Sequence, residues 1–196
     1  MANKETLEEE LTVAKRKTAK PMLWVSMISM VMFFAGLTSA YLISMKRDDW
    51  VTFDLPQAFF TSTLLIIVSS TTLFLSQLFI KRNKRPESII LLAITFMLGL
   101  LFIWQQYEGF HQLKEAGLYF TGEGSTVSAS FLIGISLMHA LHVMAGIIVL
   151  LVILFNHFRH KYTAADFLGF QLGAIFWHFV GALWTFLFLF FYFIRK

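Results

Sequence analysis

The chain has 196 residues, of which 57% are hydrophobic and only 14% charged, and its net charge is +4. Those proportions exclude an ordinary soluble domain and point to a membrane protein. The absence of cysteine excludes disulfides, a thiolate haem ligand and cysteine-held iron–sulfur clusters, so a metal would have to rest on His or carboxylate.

Residues 1–20 form a charged leader, "NKETLEEELTVAKRK", with an acidic block before a basic one. It is expected as a solvated tail, with a short interfacial helix as the alternative. The remainder, 21–196, reads as one membrane domain without repeats. Five apolar runs bounded by charge lie near 22–45, 56–80, 87–107, 127–156 and 166–194. Each is long enough to cross a hydrocarbon core about 30 Å thick as a helix. The fold class is therefore all-α, a five-transmembrane-helix bundle. The first run is too long, and too far behind its charged leader, for a cleaved signal peptide.

Span one, "LWVSMISMVMFFAGLTSAYLI", carries hydroxyls but no acid, and Gly36 with Ala40 gives a small-xxx-small spacing suited to helix packing. Span two, "TSTLLIIVSSTTLFLSQLFI", is rich in Ser and Thr, expected to bond their own helix backbone or serve as small contacts. Trp50, Trp104 and Tyr107 fall at one boundary, where amphipathic rings gather. The loop "GLYFTGEGSTVSAS" leads into span four, in which "SLMHALHVMAG" sets Ser136, His139, His142 and Gly146 along one helical face. Span five, "FWHFVGALWTFLFLFFYF", buries His178 between two tryptophans.

Positive charge fixes the expected orientation. Lys15, Arg16, Lys17, Lys20, Lys81, Arg82, Lys84, Arg85, Arg159 and Lys161 all fall on one side of a five-span topology. On the other side Lys46 and Arg47 are diluted by Asp48, Asp49 and Asp54, and Lys114 by Glu108, Glu115 and Glu123, before the terminal Arg195 and Lys196. The N-terminus is expected inside and the C-terminus outside. The basic balance thus expresses sidedness and calls for no nucleic acid.

Intramembrane histidines are costly unless they find partners. Three readings fit His139, His142 and His178: a hydrogen-bonded helix interface, a bis-histidine haem site with span four facing span five, or a proton path. Zinc is disfavoured because no HExxH or supporting carboxylate accompanies them. A continuous relay is not visible, since the cores of spans one and two contain no acid.

Taken in order, "WQQYE", "MHALHVMAG" and "LGFQLGAIFWHFVGALWTFLF" closely resemble the C-terminal half of subunit III of haem-copper oxidases, as in cytochrome c oxidase. "ISMVMFFAGLTSAY" and "LPQAFFTSTLLIIVSSTT" are similar to that family's two preceding helices. The resemblance covers nearly everything after the leader and corresponds to the short, five-helix bacterial form. It implies a non-catalytic subunit in the bacterial cytoplasmic membrane, supporting the catalytic subunit I of a terminal oxidase that reduces oxygen to water. Partners implied are subunit I, other oxidase subunits, membrane lipids and a respiratory supercomplex. Haem and copper would sit in partner subunits, with none in this chain, phospholipid being the one bound group allowed. His139, His142, His178 and Ser136 would then be structural, and Gly36, Gly146 and Gly181 helix-packing positions. Two family acids are replaced, by Met30 in "SMV" and by Gly181 in "WHFVG", so a proton role through them is not inherited. An accessory subunit of a quinol oxidase or nitric oxide reductase, and a small haem-b cytochrome, remain as alternatives.

Overall fold

The computed structural model describes residues 2–122, 124–164 and 166–194, with the side chains of 2–9 and Thr12 left aside. Of the residues used for orientation, Glu123, Arg195 and Lys196 lie outside the described set. Five helices follow in order: α1 (Ala2–Ser44), α2 (Gln57–Lys81), α3 (Arg85–Glu115), α4 (Val127–Phe158) and α5 (Leu168–Ile194). All five have the length and apolar character to span a membrane.

The leader is helical and continuous with span one, where a tail was expected. Its sequence explains the difference: residues 2–20 hold no Gly or Pro and are dominated by the strong helix formers Glu, Leu, Ala and Lys. Pro21 lies inside the helix, where it has no backbone N–H to donate. Helix α3 likewise runs past the apolar stretch that ends near 107, through "EGFHQLKE" to Glu115.

Three helix ends share one device. After α2, α3 and α4 the chain enters a left-handed residue, at Asn83 (φ 61), Gly117 (φ 77) and His160 (φ 61). In each case the next amide reaches back to the helix: Lys84 to the Phe79 carbonyl (2.9 Å), Leu118 to Leu113 (2.9 Å) and Lys161 to Asn156 (3.1 Å). These Schellman ends satisfy last-turn carbonyls and turn the chain sharply.

Side-chain pairings show successive helices running antiparallel. Thr72 meets Thr95 and Ser62 meets Gln106 between α2 and α3; Phe34 meets His139 while Tyr41 meets Phe131 between α1 and α4. Helices α2, α3, α4 and α5 close a ring, α2 touching both α3 and α5, and among the described residues α1 packs outside it against α4 and α5. The core is aromatic: Phe34, Phe59, Phe102, Phe170, Trp177, Trp184 and Phe191 are all fully enclosed. Trp104 and Tyr107 are exposed, and the half-buried Trp50 packs edge-on to Tyr41 at 4.9 Å.

Candidate functional site

The chemistry of this chain is a seam of polar side chains running the length of the ring. Its backbone is α2. Thr63 Oγ1 donates to the Phe59 carbonyl (2.7 Å) and accepts from Trp184 Nε1 (3.0 Å). Ser62 likewise donates to Phe59 (3.0 Å) and accepts from Gln106 Nε2 (3.0 Å). One hydroxyl therefore satisfies its proton inside its own helix and offers a lone pair to a neighbour. Farther along, Ser69 accepts from Trp177 Nε1 (2.8 Å), Thr72 pairs with Thr95 (2.8 Å), and Ser76 donates to the Ser88 carbonyl (2.7 Å). The seam ends at His157, whose Nε2 lies 3.1 Å from Ser88 Oγ.

Trp177 is where four helices meet. It projects from α5, bonds α2 through Ser69, and lies against α3 and α4 at two glycines. A Cβ on Gly99 would fall 2.8 Å from its Cη2, and one on Gly146 3.1 Å from its Cε3. The indole packs closely on both glycines, more tightly at Gly99 than at Gly146. Gly109 plays the same part against Phe59, and Gly173 against Ile153 and Val149.

Of the histidines named from sequence, His139 and His142 share Phe34 of α1, whereas His178 pairs with α2. His139 is fully buried, stacked on Trp184 at 5.2 Å with Phe34 and Phe102 edge-on. Neither of its ring nitrogens has a hydrogen-bond partner among the described residues, where its contacts are aromatic. Ser136, one turn earlier, is equally enclosed and its hydroxyl equally unpaired. His142 stands at the edge of that face, its Nδ1 2.7 Å from the Met138 carbonyl of its own helix. His178 turns about 100° round α5 from Trp177, the rotation between successive helical residues, and pairs with Ser70 of α2.

His139 does not fit a bis-histidine haem in this geometry. His139 is closed in by three rings, whereas His178 faces α2. No group of three His or carboxylate side chains that could hold a metal ion occurs among the described residues.

Of the other named positions, Gly181 lies 3.2 Å, at its would-be Cβ, from Ile66 of α2. Met30 is half-buried against the core. At Gly36 a Cβ would meet nothing within 4 Å among the described residues. His157 was missed because "FNHFRHK" reads as the polar flank of a span, while the structure buries it completely.

At one end of the bundle, polar groups tie elements together. Arg85 of α3 reaches the His157 carbonyl and lies 2.6 Å from His160 Nδ1, joining α3 to the end of α4. Arg16 of α1 bonds Asp166 in the α4–α5 loop at 2.7 Å and holds that carboxyl below its usual range. At the opposite end the Arg47 guanidinium, 2.8 Å away, lowers Asp49 in the same way.

The family model described as cytochrome c oxidase subunit III matches residues 1–196, the entire chain. The chain belongs to the cytochrome c oxidase subunit III family.

Among subunit III relatives, the probable cytochrome c oxidase subunit 3 of Rickettsia felis is 34% identical over 143 residues, 71% of this chain and 48% of the relative. The chain thus spans about half the length of that curated relative. Cytochrome c oxidase subunit 3 of Corynebacterium diphtheriae is 32% identical over 174 residues, covering 84% of this chain and 82% of the relative. Cytochrome bo(3) ubiquinol oxidase subunit 3 of Pseudomonas aeruginosa is 29% identical over 168 residues, covering 82% and 78%.

Proposed function

We propose that this chain is a non-catalytic, structural subunit of a respiratory terminal oxidase that reduces oxygen to water, stabilising the catalytic subunit I. The observation that carries the reading is how its polar side chains are used. The hydroxyl, indole and amide groups of the seam bond one helix to another. That is the arrangement of a scaffold, whose polar groups hold helices in register. Haem and copper then belong to partner subunits, and His139, His142 and His178 are structural. With Met30 and Gly181 at the positions of the family acids, the chain supplies no carboxylate there for proton exchange.

The orientation follows the same proposal. Lys15, Arg16, Lys17 and Lys20 of the leader, the α2–α3 turn and the α4–α5 loop lie on the cytoplasmic side of the bacterial inner membrane, with the C-terminus outside. Two pairings support the grouping, because Arg85 meets His160 and Arg16 meets Asp166 at that end.

A second reading, subunit 3 of a quinol-oxidising complex, is favoured by the Pseudomonas relative, whose match extends over most of both chains. Oxidase prepared from cells lacking this chain tests the scaffold role. It should retain its haem spectrum and initial turnover but inactivate faster during sustained turnover. An oxidase equally durable without the chain would refute the role.

A further inference from the structure

Between α2 and α5 the outer face of the bundle carries a groove of about 600 Å³. Its walls are apolar, formed by Ile66, Phe74 and Leu75 of α2, and small residues, Gly181 and Ala182, line it on the α5 side. Small residues of this kind let a further helix approach closely.

The groove is not wholly apolar. His178 lines it, half-buried, with its Nδ1 engaged by Ser70 and no hydrogen bond to Nε2 among the described residues. His178 is ten residues into α5 (178 − 168) and Ser70 thirteen into α2 (70 − 57), depths of about 15 and 20 Å at the helical rise. Both fall in the hydrocarbon region.

An acyl chain in this groove would offer no donor or acceptor at that depth and would leave the imidazole nitrogen unpaired. The side chain of a neighbouring helix can supply one. We infer that the α2–α5 groove seats a transmembrane helix of another oxidase subunit, carrying a hydrogen-bonding side chain that meets His178 Nε2. The inference rests on the oxidase-subunit reading above and names the surface through which that role is exercised.

The test uses the complex in native membranes. Phe74→p-benzoylphenylalanine places a photoreactive group on the rim of the groove, where Phe74 is 55% exposed. Irradiation should give an adduct that maps to a membrane helix of a co-purifying oxidase subunit. Ala182→Leu fills the groove one helical turn from His178. It should cut recovery of the partner subunit about tenfold, as overpacking of an interface does, while the level of this chain in the membrane is unchanged. Adducts to lipid alone in a complex that still co-purifies, or full recovery with Ala182→Leu, would overturn the groove assignment. Recovery of this chain with no oxidase subunit under any condition would overturn the reading on which it rests.

Discussion

Replacing Gly99 with alanine sets a methyl group 2.8 Å from Cη2 of Trp177. Restoring an ordinary carbon–carbon separation of about 3.5 Å moves the ring by roughly 0.7 Å. The indole has little room for that shift, because its Nε1 is bonded to Ser69 and its other edge lies against Gly146. Overpacking of this order costs about 1–3 kcal/mol, and the better helix propensity of alanine returns about 1 kcal/mol. Gly99→Ala should therefore lose about 1 kcal/mol net, by the same balance. Gly146→Ala, with a gap of 3.1 Å and a required shift of roughly 0.4 Å, should be close to neutral.

The double variant is the sharper case. Each methyl blocks the ring's retreat from the other, so the combined loss should exceed the sum by about 1 kcal/mol or more. Equilibrium unfolding in mixed micelles, followed by fluorescence of the buried tryptophans, would measure the cycle. Strict additivity, or a Gly99→Ala protein more stable than the parent, would refute the wedged indole.

Two further outcomes follow from the polar groups. Ser69→Ala leaves the buried Trp177 N–H without its acceptor and should cost about 1–3 kcal/mol. Thr71→Ala, which removes only a bond to its own helix at Val68, should cost far less, and equal losses would contradict the role of the seam. The Arg16–Asp166 pair predicts a pH effect. Because the native carboxyl is held below its usual range, its stabilising contribution is present above that range and is lost as pH falls through the lowered value. The unfolding midpoints of the parent and Asp166→Asn should thus differ at neutral pH and converge in acid or high salt. A difference independent of pH would exclude the pair as its cause.

The spans were legible in the sequence because apolar length and charged borders are set by the membrane itself. Gly146 was singled out for a related reason, since a small residue on a polar stripe signals close approach. The hydroxyls of α2 were harder. Backbone bonding and interhelical bonding select the same residue types, and Thr63 shows that one hydroxyl can do both. Gly99 sits in an unmarked apolar run, and only the reach of Trp177 from another helix gives it meaning. Polarity suggested a hydrogen bond for His139, but its neighbours are rings contributed by α1, α3 and α5, which no local pattern reveals. For the leader, high charge suggested a solvated tail, while its residues individually favour helix.

The central claim is that this chain is a scaffold working within a haem-containing complex. The most direct measurement is isolation of the chain in mild detergent, with an optical spectrum of the recovered complex and then of the chain stripped from it. The account predicts a haem spectrum that accompanies a large co-purifying subunit and is lost from the stripped chain. Stoichiometric haem retained by the stripped chain would contradict it and make His139, His142 or His178 ligands.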